Sequence, residues 1–263
     1  KSTIAWLQHQ DDLYENEGNS DVDDATYDRI RRWAELSFPA NAYFTGAGSD
    51  VRGGKVKLPF SMSGLTQVYE GGETQRWAYK MGGNAVEYVA SNKMDGTSAM
   101  VVYDADGNLQ IAYSRGNTTE GADITRHIKR IHNIPTKIPA PGRTLPVRME
   151  IEFRKSDWDA IQQKITRRGG EAYKNARNAV AGIMNASEND DIVYEYLNGV
   201  AYTIMDSTES KVAQLEYLDK AGFEIVDYTV LLANQLDDAN LTEILNRVRS
   251  TCDYELDGIV IDL

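Results

Sequence analysis

Four consecutive residues, Lys93-Met-Asp-Gly96, combine a possible nucleophile with a carboxylate and a glycine. A lysine amine can act as a covalent nucleophile only when it is neutral. At the ordinary lysine pKa of about 10.4, roughly 0.04% of such amines are neutral at pH 7, so burial or nearby cations would have to lower the pKa. The glycine allows a tight turn at a strand end. Taken alone, the tetrapeptide is also what a surface lysine before a turn would look like.

The segments around this tetrapeptide predict the strands that hold it. We expect strands over Val86–Ala90, leading into Lys93, and over Asp257–Asp262. The turn-rich residues 104–108 separate Ser98–Tyr103 from Leu109–Ser114 and indicate a hairpin. Alternation over residues 147–154 predicts a half-buried strand with one charged face. Its apolar members are Val147, Met149, Ile151 and Phe153, and its charged members are Arg148, Glu150, Glu152 and Arg154.

Helical periodicity and end signals predict four helices elsewhere. These are residues 24–38, ended by Pro39; a helix opened by a Ser156–Asp159 capping pair and running to about Arg167; Thr208–Ala221, ended by Gly222; and Asn240–Ser250. Because strands and helices do not alternate regularly, we predict an α+β fold.

The chain of 263 residues has a net charge of −12 that is unevenly distributed. Residues 1–50 carry −6, residues 51–185 carry +7 and residues 186–263 carry −13. The basic middle could hold a polyanion, although solvated faces would give the same counts. Apolar residues form 41% of the chain and charged residues 26%, which argues against disordered and low-complexity classes. The single cysteine, Cys252, excludes an internal disulfide and fits a reducing compartment.

The glycine-rich stretch from Phe44 to Lys55 predicts a linker. We therefore expect a first domain over residues 1–50 and a second over residues 51–263. The stretch is not a P-loop, because Ser49 and Val56 stand where that motif needs glycine and Ser or Thr. No apolar run is long enough to span a membrane, and no signal peptide is indicated.

Longer motifs accompany Lys93-Met-Asp-Gly96 along the chain. They are Ser114-Arg-Gly-Asn-Thr-Thr-Glu-Gly-Ala-Asp-Ile-Thr125, Asn133-Ile-Pro135, Val147-Arg-Met-Glu-Ile151, Asn175-Ala-Arg-Asn-Ala-Val-Ala-Gly182, Ala201-Tyr202 and Glu255-Leu-Asp-Gly-Ile-Val-Ile261. The tetrapeptide resembles the K-x-D-G motif of covalent nucleotidyltransferases, and the series, in this order, resembles NAD-dependent DNA ligases. The resemblance implies an α+β, ATP-grasp-like nucleotidyltransferase fold of antiparallel sheets with flanking helices, preceded by a small helical domain.

The N-terminal residues resemble the part of these ligases that grips nicotinamide mononucleotide. Tyr14 is followed by Asp24, Tyr27 and Asp28, which would share one helix face. Aromatic rings can stack on the cationic nicotinamide, and carboxylates can hold its ribose. Tyr27 taken alone could equally be a core residue, since it shares an apolar stripe with Ile30.

The resemblance implies roles for the remaining matching side chains. Lys93 would be the nucleophile, and Asp95 would orient it or help to place a metal. Glu150 would bind ribose hydroxyls or metal. The other nucleotide contacts would be Arg115 on sugar or phosphate, Arg177 on phosphate, Tyr202 stacked on adenine, and Ser63 and Leu65 beside the nucleotide. No side chain is assigned as a dedicated metal ligand, and three histidines with one cysteine cannot build a Cys-rich zinc site.

Four positions depart from the family pattern. Glu15 replaces the usual histidine after the tyrosine, and Ser91 replaces a glutamate that commonly reads the adenine amino group. Asn185 stands where a second arginine is usual. Asp262 stands where the closing strand usually carries a functional lysine, and an acidic group there is expected to repel phosphate.

The resemblance implies an adenylation module of an NAD-dependent DNA ligase, using NAD and Mg²⁺, in which Lys93 takes AMP and nicotinamide mononucleotide is released. This is the first step of nick sealing in DNA replication and repair. The implied partners are nicked duplex DNA, bound weakly by this module alone, and C-terminal ligase domains in the same or a second chain, with no membrane. We expect a cytoplasmic location in a bacterial or virus-infected cell, and the divergence suggests a viral or otherwise unusual source.

Two alternatives remain open. One is a nucleotidyltransferase that uses ATP or GTP, against which the Tyr14 to Asp28 pattern argues. The other is a ligase-like domain that binds nucleotide without turnover, which Asp262 and Asn185 motivate. Covalent AMP formation distinguishes the enzyme from the binding domain, and the choice of nucleotide distinguishes the two enzymes.

Overall fold

The N-terminal part of the chain is helical. The computed structural model describes residues 2–17, 22–39, 41–45, 55–68, 71–166, 170, 172–187 and 189–263. Helix α1 spans Ser2–Glu17, α2 spans Asp24–Ser37 and α3 spans Ala42–Thr45. Asp23 caps α2 by accepting a hydrogen bond from the Thr26 N–H, and the helix ends next to Pro39, as the sequence predicts.

The strands begin after this helical part. They are β1 Lys55–Lys57, β2 Tyr88–Met94, β3 Thr97–Tyr103, β4 Leu109–Ser114, β5 Glu120–Ala122, β6 Leu145–Phe153, β7 Leu197–Ile204, β8 Glu224–Ile225, β9 Tyr228–Leu231 and β10 Leu256–Asp262. The helices between them are α4 Glu73–Met81, α5 Thr125–Ile128, α6 Lys155–Ile161, α7 Ala176–Asn185, α8 Lys211–Lys220 and α9 Asp238–Thr251. Short 3₁₀ helices span Gly83–Ala85, Asp191–Glu195 and Ala233–Gln235.

Three sheets result, and all but one of their strand pairs are antiparallel. The largest has the order β4-β3-β6-β7-β8, in which only β7 and β8 run parallel. A second sheet has the order β10-β2-β9, and β1 pairs with β5. The predicted α+β class with antiparallel sheets is confirmed.

The two larger sheets face each other between layers of helices. The outer face of β10-β2-β9, which includes Tyr88 and Ala90, packs with Ala78 of α4 and Ile244 of α9. The outer face of the five-stranded sheet, which includes Met149, packs against apolar residues of α5 and α7. The inner faces meet partly through an apolar cluster that joins β2, β7 and α8. The rest of the two inner faces carries polar and charged side chains, among them Lys93 of β2 and Glu150 of β6, and this region is called the crevice below.

Several element predictions are confirmed and others need correction. The hairpin β3–β4, helix α9 and strand β10 lie within two residues of their predicted bounds. The helix predicted from Thr208 begins at Lys211, with Ser210 as its cap. The Ser156–Asp159 capping pair is wrong: Ser156 instead donates to Asp253, and α6 ends at Ile161.

The charged face of β6 is also different from its prediction. Alternation predicts a half-buried strand, but Glu152 is only 3% exposed because the second sheet covers that face. Most of the predicted linker from Phe44 to Lys55, with the domain boundary, lies outside the described residues, and its ends belong to α3 and β1. Within the described ranges, no helix is both long and apolar enough to cross a bilayer.

Candidate active site

Lys93 lies near the end of β2, on the inner face of its sheet. It pairs with Gly258 of β10, and its half-buried side chain forms an ion pair with the Asp257 carboxylate. Asp257 belongs to the motif Glu255-Leu-Asp-Gly, but the sequence assigned it no role. The register between two strands that are far apart in the sequence brings it to Lys93, and that register could not be read from the sequence.

Asp95 and Gly96 connect β2 to the neighbouring sheet. The Asp95 N–H donates to the Glu255 carbonyl at 3.1 Å, and the Asp95 carboxylate forms an ion pair with Arg177. Gly96 lies in the two-residue connection between β2 and β3, as the predicted tight turn at the strand end requires, although its φ is not positive. A Cβ at this position would lie 2.4 Å from the Ile151 carbonyl oxygen and 2.3 Å from Glu152 Cγ. Glycine is needed because the backbone passes this close to β6.

The inner face of β6 places a row of ionisable groups opposite Lys93. Burial raises the pKa of Glu150 to about 7, although the positive charges of Arg148, Arg115 and Lys93 oppose that shift. Burial also raises the pKa of Glu152 to about 9. Neighbouring carboxylates add to this second shift, in the order Glu150, Asp95 and Glu255. Glu152 Oε1 is buried and makes no hydrogen bond in the structure. Both carboxyls are therefore held partly or mostly protonated at neutral pH.

Tyr202 of β7 lies beside the same face. Its hydroxyl is 3.0 Å from Ser98 Oγ, and the Arg148 guanidinium lies 5.7 Å from the ring centroid. Burial raises the pKa of the Tyr202 hydroxyl. The ring is therefore fixed by β3 and β6, which suits it to form one side of a base-binding slot.

Arg148 also reaches the segment that holds the predicted contacts Ser63 and Leu65. Arg148 Nη1 donates to the Ser63 carbonyl at 3.0 Å. Leu65 is 56% exposed. The fully buried Met62 anchors this segment, and the Met62 N–H donates to the Thr118 carbonyl at 2.9 Å. The segment therefore borders the charged face of β6.

Arg115 and Arg177 approach the crevice from two different elements. Arg115 follows β4 and is exposed, and its Nη2 atom would be 3.4 Å from a Cβ placed on Gly64. Arg177 is the second residue of α7, which the Asn175 side chain caps by accepting from the Asn178 N–H at 2.8 Å. Burial lowers the pKa of Arg177 to about 10, which still leaves its guanidinium charged at neutral pH.

The N-terminal candidates lie on α1 and α2. Tyr14 is on α1, and Asp24, Tyr27 and Asp28 are on α2, although the side chains of Tyr14, Asp24 and Asp28 lie outside the described residues. Tyr27 donates its hydroxyl to Asp11, which also accepts from the Tyr43 hydroxyl at 2.7 Å. Burial, followed by this bond, raises the pKa of Tyr27 to about 12.

The Tyr27 hydroxyl is thus part of a polar network rather than a plain core contact. Asp11, Tyr43 and Arg31 also belong to that network, and no sequence pattern pointed to them. Tyr43 is separated from Asp11 by 32 positions, so no local pattern joins them.

The residues that depart from the family pattern differ in how deeply they are buried. Ser91 is buried on β2, and Asn185 is the last residue of α7 and exposed. Asp262, which was expected to repel phosphate, has a cation beside it, because Lys211 Nζ lies 3.0 Å from Asp262 Oδ2. Lys211 was missed as well. The signal that could have found it is a cation in the first turn of a helix, where a negative residue is usual.

One protein family and several known proteins are similar to this chain. Residues 54–263 match the family described as NAD-dependent DNA ligase adenylation domain. The chain is 29% identical to a DNA ligase of Gluconobacter oxydans, covering 98% of this chain and 41% of that protein. It is also 29% identical to a DNA ligase of Acanthamoeba polyphaga mimivirus, covering 97% and 38%. A solved archaeal ATP-dependent RNA ligase is similar at 10% identity and a TM-score of 0.45, covering 76% and 45%.

The chain spans about two fifths of the length of these two curated relatives. The family match covers most of the chain, including every strand and the motif around Lys93. The chain belongs to the NAD-dependent DNA ligase adenylation domain family.

Proposed function

We propose that Lys93 accepts AMP from NAD and that this chain carries out the first step of DNA nick sealing. The observation that supports it best is the position of Lys93, held by Asp257 on one wall of a crevice whose other wall carries Glu150 and Tyr202. The family resemblance assigns Lys93 as the nucleophile, Glu150 to the ribose and Tyr202 to the base.

The proposed reaction forms one bond and breaks one bond. The neutral Lys93 amine attacks the adenylyl phosphorus of NAD, a P–N bond forms, and the P–O bond to the bridging oxygen breaks. Nicotinamide mononucleotide leaves with the bonding electron pair. The Lys93 ammonium group loses one proton to solvent before the attack, and the nitrogen loses a second proton to solvent after the P–N bond forms. Negative charge builds on the phosphates as the bond breaks, and Arg177 and Arg115 would offset it.

Other residues would bind and orient the two halves of NAD. Tyr202 would stack on adenine, Glu150 would accept from ribose hydroxyls, and Ser63 and Leu65 would border the nucleotide. Asp95, held by Arg177, would orient Lys93 through the short turn between β2 and β3. On α1 and α2, Tyr14, Asp24, Tyr27 and Asp28 would hold the nicotinamide mononucleotide half.

Mg²⁺ is the usual metal for this family, and the donor set fits it. Within the described residues no group of three or more His, Cys, Asp or Glu side chains is arranged around one point. Mg²⁺ commonly binds through only one or two carboxylates together with water and substrate phosphates. Glu150 and Asp95 would hold such an ion, which would add positive charge beside the phosphates.

The domain division, partners and location belong to the same proposal. A helical domain over residues 1–50 and an adenylation domain over residues 51–263 are supported by the helices that precede the first strand. Nicked duplex DNA would be bound weakly by this chain alone, through exposed basic side chains such as Arg126 and Lys129. C-terminal ligase domains, in the same or a second polypeptide, would complete nick sealing. We further propose a cytoplasmic location in a bacterial or virus-infected cell, which the lone free Cys252 supports.

The test is the intact mass of the chain after incubation with NAD and Mg²⁺, with ATP in parallel. We expect a gain of one AMP, about 329 Da, with NAD only and its complete loss in Lys93→Ala. A gain of mass with ATP only would show that ATP, and not NAD, is the substrate. No gain with either nucleotide, together with retained nucleotide binding, would instead identify a binding domain.

A further inference from the structure

Lys211 is a buried cation in an electrostatically unfavourable place. It is the first residue of α8 and only 8% exposed. The N-terminal end of a helix carries partial positive charge, which repels an ammonium group. Removing that group from water adds a further penalty. An apolar side chain would satisfy both the helix and the packing, so neither explains a lysine at this position.

Asp262 is the counter-ion of Lys211, and it shares a sheet face with Lys93. In the β2–β10 pairing, Asp262 stands opposite Val89 and Gly258 opposite Lys93. Directly opposed residues of antiparallel strands project to the same face, and alternate residues along a strand do so too. Asp262 is four residue steps along the strand from Gly258, a distance of about 13 Å. The Lys211–Asp262 pair therefore lies on the sheet face that carries the nucleophile, next to Val89 of the apolar cluster that joins the two sheets.

Helix α8 holds Lys211 in a fixed position relative to the opposite wall. Gln214, also 8% exposed, accepts from the Ile204 N–H and the Thr203 hydroxyl, both at 3.0 Å. Its amide nitrogen donates to the Glu209 carbonyl at 2.8 Å, just before the helix begins. Because Thr203 and Ile204 follow Tyr202 directly on β7, the start of α8 is tied to the strand that carries that ring.

Three cation–carboxylate pairs thus surround the crevice: Lys93–Asp257, Arg177–Asp95 and Lys211–Asp262. The first two contain residues that the proposed function uses. The third has the same form: the Lys211 ammonium group, which has three N–H donors, lies 3.0 Å from Asp262 Oδ2 as an ion pair. The ammonium can keep its contact with Asp262 and also donate to a phosphate oxygen.

Resting on the function proposed above, we propose that Lys211 is a phosphate-binding cation of the adenylation site. Helix α8 supplies it at the end of the crevice where β10 carries Asp262 instead of a lysine. Asp262 then acts as a positioning residue that holds the Lys211 side chain in the crevice. The charge that the strand position lacks is restored from a neighbouring element.

The test separates this role from a purely structural ion pair. Lys211→Met alone leaves Asp262 without its partner, so its loss of activity could reflect misfolding. The double variant Lys211→Met with Asp262→Leu replaces the pair by apolar side chains of similar size. The charge swap Lys211→Asp with Asp262→Lys keeps one cation at the site. Lys220→Met on the same helix removes an exposed pair with Glu216 and is the matched control.

The measurements are the single-turnover rate of lysyl-AMP formation with NAD and Mg²⁺, its dependence on NAD concentration, and the thermal midpoint. We expect the apolar pair to unfold within a few degrees of the wild type but to adenylate at least about tenfold more slowly at saturating NAD. The charge swap and Lys211→Arg should recover most of the rate, and Lys220→Met should match the wild type.

Two results would overturn the inference. If the apolar pair is stable and adenylates at the wild-type rate, the ion pair is only structural. If the wild-type chain itself forms no lysyl-AMP with NAD, the proposed function fails first and the role of Lys211 fails with it. The wild-type reaction distinguishes the two failures, because it is measured without any substitution.

Discussion

The two walls of the crevice hold their carboxyl groups in different ways. On the β2–β10 wall, Asp257 and Asp262 each contact a lysine ammonium group. On the β6 wall, burial raises the pKa of Glu150 to about 7 and that of Glu152 to about 9. One wall offsets negative charge with cations, and the other reduces it by keeping protons bound.

Both arrangements lower the negative charge in the space where a pyrophosphate would bind. Four ionised carboxylates there would repel the substrate that the family uses. The two solutions differ in their response to conditions, since an ion pair persists through neutral pH whereas a carboxyl with a raised pKa titrates near it. Substitutions on the two walls should therefore fail in different ways.

The contact between the walls at Gly96 should be the most sensitive point. Gly96→Ala would place a methyl group against the Ile151 carbonyl and the Glu152 side chain, at distances that no real contact allows. We expect a loss of about 3 kcal/mol in unfolding free energy, as for severe overpacking, with a matching loss of adenylation. Chemical denaturation measures the first effect.

Gly258→Ala, on the β2–β10 wall, is the matched control. A Cβ there would lie 4.0 Å from Lys93 Cδ, which is ordinary contact. Its unfolding free energy should stay near that of the wild type. Equal destabilisation by both substitutions would show that the close approach at Gly96 is not what holds the walls together.

On the β2–β10 wall, Asp257→Ala should slow the reaction without unfolding the chain. Asp257 is half exposed, so its removal leaves no buried cavity, but Lys93 loses the group that orients it. We expect adenylation to slow about 10- to 100-fold with an unchanged thermal midpoint. Asp257→Asn keeps an acceptor oxygen, so its adenylation rate should lie between those of the wild type and Asp257→Ala.

Asp106→Ala, in the exposed β3–β4 turn, is the control for this measurement. Its rate and thermal midpoint should equal those of the wild type. An Asp257→Ala chain that adenylates as fast as this control would mean that Lys93 needs no partner on β10.

Local patterns predict the elements of both walls better than they predict the contacts between them. Strand β10, the β3–β4 hairpin and helices α2 and α9 follow from periodicity and from end signals such as Pro39. Helices α1 and α4 were missed, and α6 was given a wrong cap because Asp253, which is distant in the sequence, binds Ser156. These errors arise where contacts far apart in the sequence determine the structure.

The candidate site shows the same limit more sharply. Motif matching finds Lys93, Asp95 and Arg177, and the structure brings all three to one crevice. It does not find Lys211, because the helix that carries it follows a different strand and no local spacing links it to Asp262. Nor does it predict the burial of Glu152, since period-two alternation cannot tell whether a second sheet covers the charged face.

The smallest effect near neutral pH should come from Glu152. It should appear as a change in the slope of unfolding free energy against pH. Its folded-state pKa of about 9 lies above the ordinary value of 4.5, so the folded chain binds a proton that the unfolded chain has released. Stability from this group is fully present below about pH 4.5 and is lost as pH rises towards 9. Between pH 6 and 7 the loss should be about 1 kcal/mol.

Glu152→Gln removes the titrating carboxyl. It should therefore remove the contribution of Glu152 to the slope of unfolding free energy against pH. Denaturant unfolding at several pH values measures it, with exposed Glu243→Gln as a control that keeps the wild-type slope. An unchanged slope in Glu152→Gln would mean that Glu152 is ionised in the folded chain. The negative charge on the β6 wall would then have to be offset by a cation, as it is on the β2–β10 wall.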